Sequence, residues 1–309
     1  MKRQKLFGAL DLGGSFLKFA YGNTEKGIIY HDRIQIKEPD NNDFIFDAIK
    51  QAVNIINKHE QSVKTFGMGT PGTVDVDRGM ITGITPNLPN IQNIAFKKEI
   101  EKNNNIKVYL ENDANLMSYA EASLYPSQSV LGITIGTGIG SGFIYQNDIF
   151  RGQNYSAIEL GHTIVNLGGR RCKCGKFGCV EAYSSANSML AICREEFPNL
   201  EINNIAHLLK IGKENKEIKS KINLLNSYLA MTIANAVSTL DPQVVCIGGG
   251  VVEIKDFDFD FLKQKIKGFL ASNYQCVKIV KAQFENRAGI YGGILIAESK
   301  YLEHNLLYK

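Results

Sequence analysis

Short apolar runs separated by glycine-rich turns set the pattern of this 309-residue chain. Residues 6–10 and 16–21 are apolar and flank Asp11-Leu12-Gly13-Gly14-Ser15, which predicts a β-hairpin about a Gly-Gly turn. Phe44, Ile45, Ala48, Ile49, Ala52, Val53 and Ile56 recur at helical spacing and predict an amphipathic helix from about 43 to 59. A strand is expected over 65–69, stopped by Thr70-Pro71-Gly72. A turn-rich stretch over 83–89 precedes a helix near 95–103. The strand 107–110 then runs into Glu111-Asn112-Asp113, and a helix begins at about Ala114.

A second cycle opens at Val130. Residues 131–135 predict a strand, Gly136-Thr137-Gly138-Ile139-Gly140 a turn, and residues 141–145 another strand. The order strand, small-residue turn, strand thus repeats. The repeat predicts two related halves, each with a phosphate-sized turn on its sheet. A strongly apolar helix is expected over 223–240, followed by Pro242, a strand over 244–247 and Gly248-Gly249-Gly250. The last helix is expected from about 288 to 301. No low-complexity linker divides the halves, and the interrupted α/β alternation predicts two α/β lobes with a cleft.

Composition narrows the class. At 44% apolar and 21% charged residues there is material for a sizeable core, which excludes wholesale disorder. The formal net charge of +4 comes from scattered lysines and not a basic block, so neither composition nor pattern points to nucleic acid. The N-terminal apolar run stops at Asp11, short of the roughly 7–15 residues of a secretory segment. No stretch reaches the about 18–20 apolar residues of a spanning helix. The expectation is a cytoplasmic protein without membrane partners. Six cysteines in a chain of this length do not make a disulfide scaffold.

Five constellations carry candidate chemistry. In Asp11-Leu12-Gly13-Gly14-Ser15 the glycines let backbone N–H groups approach an anion, and the strand-end Asp can hold a hydrated Mg²⁺. An ordinary hairpin turn is the alternative. Gly136 to Gly140 repeats the arrangement with a Thr137 hydroxyl able to bond a phosphate oxygen. Asp113, in Glu111-Asn112-Asp113-Ala114-Asn115, stands at a helix start. It can cap that helix, worth about 0.5–2 kcal/mol, or take a proton from a substrate hydroxyl, and with Asn112 beside it capping and catalysis can fall to different residues. Val244 to Ile247 runs into three glycines whose backbone can pass under a flat adenine or ribose; a plain strand-to-helix turn is the alternative.

The most specific constellation joins Glu159-Leu160-Gly161-His162 to Cys172-Lys173-Cys174-Gly175-Lys176-Phe177-Gly178-Cys179-Val180-Glu181. One imidazole and three thiols fill a closed tetrahedral zinc site with no position left for water, so the metal is expected to be structural. Gly175 and Gly178 allow the tight turn, and Arg171 and Lys173 offset thiolate charge. Free thiols or a local disulfide are the alternatives. Cys193, Cys246 and Cys276 read as core residues.

Together these elements resemble the ROK family of sugar kinases, in the superfamily that includes actin. The resemblance runs from Leu6 to about Tyr301. It rests most heavily on C-x-C-G-x-x-G-C-x-E, in which every fixed position of residues 172–181 is filled. It implies an actin-like ATPase (ribonuclease H-like) fold with an interlobe cleft. The implied lobes are a small one over 1–113, completed by a C-terminal helix of about 288–309, and a large one over 114–287 bearing the zinc loop. It further implies ATP, Mg²⁺ and structural Zn²⁺, and a homodimer or higher homo-oligomer. By position, Asp113 matches the catalytic base. Asn112, Glu159, His162 and Glu181 match sugar ligands, with Gly72 and Asn87 close by. Asp11, Gly13, Gly14, Ser15, Thr137 and Gly138 match the phosphate and Mg²⁺ turns, and Gly248 and Gly249 the adenosine segment. His162, Cys172, Cys174 and Cys179 match the zinc ligands.

The implied activity is phosphorylation of a hexose primary hydroxyl. Glucose is the first expectation, with N-acetylmannosamine or N-acetylglucosamine as the alternative. A sugar-sensing ROK regulator is disfavoured, because its DNA-binding segment precedes a first turn that here begins at residue 11. Three departures stand out: Ser15 for the usual Thr, Asn90-Ile91 where Gly-Trp is usual, and Ile158 where Gly is common.

Overall fold

The computed structural model describes residues 5–83, 85 and 87–306. Residues 1–4, two positions of the expected 83–89 turn, and the last three residues of the expected terminal helix lie outside them.

The chain folds as two compact units, each built on a five-stranded sheet. In the first, β1 (Phe7–Leu12), β2 (Phe16–Asn23) and β3 (Gly27–Gln35) form an antiparallel meander. Helix α1 (Asn42–His59) leads to β4 (Thr65–Thr70) and a small hairpin, β5 (Val74–Asp75) and β6 (Met80–Ile81). Helix α2 (Phe96–Asn104), β7 (Lys107–Asn112) and α3 (Asp113–Ala122) follow. The sheet order is β3-β2-β1-β4-β7, with β1, β4 and β7 parallel.

Side chains alternate across this sheet as a period of two requires. Leu10, Leu12, Leu17 and Phe19 bury against Ile45, Ile49, Ala52 and Ile56 of α1. Phe7, Ala9 and Ala20 face Ile290, Ile294 and Ala297 of a helix from the far end of the chain. That helix lies so close that a Cβ at Gly67 would sit 2.0 Å from the Gly293 carbonyl oxygen, so only glycine fits.

The second unit repeats the plan. It comprises β8 (Val130–Ile135), β9 (Ile139–Tyr145), β10 (Asp148–Ile149), α4 (Glu181–Ser184), α5 (Ala186–Glu196), α6 (Ile205–Glu214), α7 (Lys216–Leu240), β11 (Val244–Gly248), α8 (Phe259–Phe269) and β12 (Lys278–Lys281). Its order is β10-β9-β8-β11-β12, again a hairpin edge continued by parallel strands. The terminal helix α9 (Ala288–Leu306) then returns to the first unit.

The units do not divide at residue 113. Helix α3 stays with the first unit because it packs on α9; a Cβ at Gly292 would meet the Leu116 carbonyl oxygen at 2.0 Å. Phe150–Ala157 also belongs there, held by Arg151 on Glu111 and by Tyr155 on Asp77. Helix α7 starts two turns earlier than its apolar pattern suggests. Asn215 caps it, and Ile218 and Ile222 are buried among polar neighbours. No described helix is long and apolar enough to cross a membrane.

Candidate active site

In the first unit the parallel strands end in register. Asp11 lies opposite Gly69, Gly69 opposite Glu111, and Thr70 opposite Asn112. Three candidate turns therefore start at the carboxyl edge of one sheet, where ligands of open α/β sheets bind. From the position a Gly69 Cβ would take, Asp11 Oδ1 is 3.6 Å away and Asp113 Cα 3.5 Å. Asp11 also accepts an ion pair from Lys18 across the hairpin at 3.3 Å. The turn after β1 closes through Gly13 N–H to Phe16 O at 2.9 Å, and Ser15 is exposed beyond it. Asn87 packs against Gly14: a Cβ there would lie 2.6 Å from the Asn87 Cβ.

The capping task open at Asn112 and Asp113 falls to Asn112. Asn112 caps α3, its Oδ1 accepting from Asn115 N–H at 3.1 Å, while its Nδ2 donates to Gly72 O at 3.0 Å. Asp113 occupies the first helical position, with Oδ1 accepting from Ala114 N–H at 2.8 Å. Glu111 was not singled out by the sequence, yet it anchors this turn. Fully buried, it accepts from Asn112 N–H at 3.0 Å, Asn115 Nδ2 at 3.0 Å and Arg151 Nε at 2.7 Å. Its partner stands forty positions away, so no local spacing signals the pair.

In the second unit the Gly136–Gly140 turn follows β8, and Gly136 N–H donates to Gly138 O at 2.9 Å. Thr137 is exposed at its tip. Glu181 opens α4 and accepts from Ile139 N–H at 2.9 Å. The Glu159-Leu160-Gly161-His162 segment forms a 3-10 turn lying flat on Ile139; a Cβ at Gly161 would be 2.3 Å from the Ile139 carbonyl oxygen. The Gly248-Gly249 turn wraps the end of β8, with Gly249 at φ +93 and Val251 N–H donating to Ile135 O at 3.0 Å. The candidate residues of this unit thus gather at the carboxyl ends of β8 and β11. Glu159 keeps solvent access, but desolvation by its surroundings raises its carboxyl above the usual range. The His162 ring opposes that rise, and Glu181 adds to it.

The four expected metal ligands converge. One donor atom from each of His162, Cys172, Cys174 and Cys179 lies within 4.8 Å of every other. Cys172 Sγ is 3.7 Å from His162 Nδ1, and Cys174 Sγ is 3.7 Å from Cys179 Sγ. Those separations match the edges, about 3.6–3.8 Å, of a tetrahedron with zinc-length bonds. Gly175 and Gly178 take φ +89 and +84, and Cys172 N–H donates to Lys176 O at 2.8 Å, which closes the knuckle. All six cysteines are free thiols, and burial pushes the Cys172 thiol up to about 12. Cys193 and Cys246 are core residues as expected, but Cys276 is exposed. It follows a surface 3-10 turn, Ser272–Tyr274, and the buried position beside it is taken by Val277.

Two sheets of one plan, with small-residue turns at their carboxyl edges, define an α/β protein of the actin-like ATPase class. The sequence profile of the ROK family matches residues 7–300. An N-acetyl-D-glucosamine kinase of Photobacterium profundum is 30% identical over 308 residues, covering 94% of this chain and 99% of that one. A glucokinase of Thermotoga maritima is 25% identical over 317 residues, covering 97% and 99%. Among solved structures, the ROK hexokinase from Thermus thermophilus matches with TM-score 0.86 at 25% identity, covering 96% and 99%. The chain belongs to the ROK family.

Proposed function

We propose that this chain is an ATP-dependent kinase that phosphorylates the primary hydroxyl of a hexose. The observation that carries the reading is the arrangement about Gly69. It sets Asp11 and Asp113 on either side of one strand end, while Asn112 does the helix capping. In the proposed reaction the Asp113 carboxylate accepts the proton of the attacking hydroxyl. The sugar oxygen bonds to the γ-phosphorus, the bond to the β,γ-bridging oxygen breaks, and ADP leaves. Such transfer needs chiefly positioning and charge neutralisation, with a base for the nucleophile.

Asn112, Glu159, His162 and Glu181, with Gly72 and Asn87, are the proposed sugar ligands. Gly13, Gly14, Ser15, Thr137 and Gly138 are assigned to the phosphates, and Gly248 and Gly249 to adenosine. Asp11 would hold Mg²⁺ through water, and that ion supplies neutralisation of phosphate charge. The zinc assignment is supported by the ligand separations, and with Nδ1 turned to the thiols His162 keeps Nε2 for the sugar. The proposed setting is the cytoplasm, as a homodimer or higher homo-oligomer.

Glucose is the first substrate to test. N-acetylglucosamine is the second reading, favoured by the 30% identity to a kinase of that name. An ATP-coupled assay over glucose, N-acetylglucosamine and N-acetylmannosamine tests both. Asp113→Asn should lower kcat by about 10²–10⁴-fold, the usual contribution of a general base. Wild-type turnover by that variant would remove Asp113 from the role.

A further inference from the structure

We propose that Ser141 is a positioning residue for the sugar-binding turn. Its hydroxyl clamps the two peptide groups that flank Glu159 and thereby holds Ile158 in a left-handed conformation. The proposal rests on the reading of Glu159 as a sugar ligand.

Ile158 has φ +64, a region that suits glycine and strains a β-branched residue. Strain of this kind persists only where surrounding structure over-determines it. Two opposed demands meet at this position. The side chain packs on the core of the second unit, which favours a large apolar residue, while the backbone suits glycine. What holds the backbone is Ser141, on β9 opposite Ile133 and 8% exposed. Its Oγ donates to the Ile158 carbonyl oxygen and accepts from Leu160 N–H at 3.2 Å. Leu160 N–H also reaches Ile158 O at 2.8 Å.

One hydroxyl therefore bridges the residue before Glu159 and the residue after it. The directions of those two peptides fix the Glu159 Cα–Cβ bond, so losing the bridge re-aims the carboxylate. Ser141 stands next to Gly140, so the strand that carries the phosphate turn also carries the clamp. Leu160 N–H and Ile158 O would keep only each other, and that contact alone does not tie the turn to β9.

The test uses the full-length enzyme and its sugar. Ser141→Ala should raise the sugar KM about tenfold, the equivalent of one lost hydrogen bond, with the ATP KM within about twofold. That penalty should shrink in an Ile158→Gly background, where no strain needs holding. An unchanged sugar KM, an equal rise in both KM values, or an equal penalty in both backgrounds overturns the proposal. Stability supplies a reading that leaves Ser141 intact. Ile158→Gly should melt about 2–4 °C above Ile158→Ala, reversing the usual order of the two residues. The usual order would overturn the strain claim even if Ser141→Ala did not fold. Glu159→Gln separates the layers. If it leaves the sugar KM unchanged, the reading of Glu159 fails. If it raises the KM and Ser141→Ala does not, the clamp fails.

Discussion

Glu159 and Glu111 show how two carboxylates of one protein come to different work. Glu159 keeps solvent access, but desolvation shifts its carboxyl upward. A raised value means that the proton returns at a higher pH than for an ordinary Glu. The acceptor form is therefore complete above the raised value and is lost as pH falls through it. If Glu159 holds the sugar, the acid limb of kcat/KM for sugar should lie above the usual carboxylate range, and Glu159→Gln should abolish that limb. A limb unchanged in the variant would assign it to another group. Glu111 is instead buried with three donors on its oxygens, Arg151 among them. Arg151→Met would leave a buried carboxylate without its cation, a change that costs about 3–5 kcal/mol. Denaturant unfolding should show that loss; a stability within 1 kcal/mol of wild type, on the order of a surface substitution, would contradict it.

At the scale of elements, what could be read from the sequence depended on how local each signal was. The first hairpin, α1, β8, β9 and β11 are announced by periodicity and glycine turns, and they stand close to where the pattern puts them. The meander strand β3 was not legible, because Gly27–Gln35 lies at a sheet edge and most of its side chains are exposed. Helices α5, α6 and α8 are short, and only two to four positions of each are buried. The cluster of His162 with Cys172, Cys174 and Cys179 was legible in full, since all four fall within eighteen positions. The Glu111 to Arg151 and Ser141 to Ile158 ties were not, because each joins separate elements. The knuckle leads to a prediction of its own. Metal analysis should find about one zinc per chain, the stoichiometry of a closed four-ligand site. Chelation or Cys174→Ser should raise the sugar KM, since the ring of His162 loses its anchor. Full activity without metal would contradict a structural zinc.

At the scale of the whole molecule, the same five-strand plan occurs twice, and each copy presents a small-residue turn after its first parallel strand. Membership of the ROK family agrees with that duplication. In a sugar kinase the sugar is the phosphoryl acceptor, and hydrolysis of ATP by water is a side reaction to be suppressed. The most direct test is a paired time course of ADP and sugar 6-phosphate from wild-type enzyme with ATP and Mg²⁺, with and without hexose. The account predicts one ADP per sugar phosphate when glucose or N-acetylglucosamine is present, and almost no ADP without sugar. ADP released at the same rate in both conditions, with no sugar phosphate formed, would contradict it.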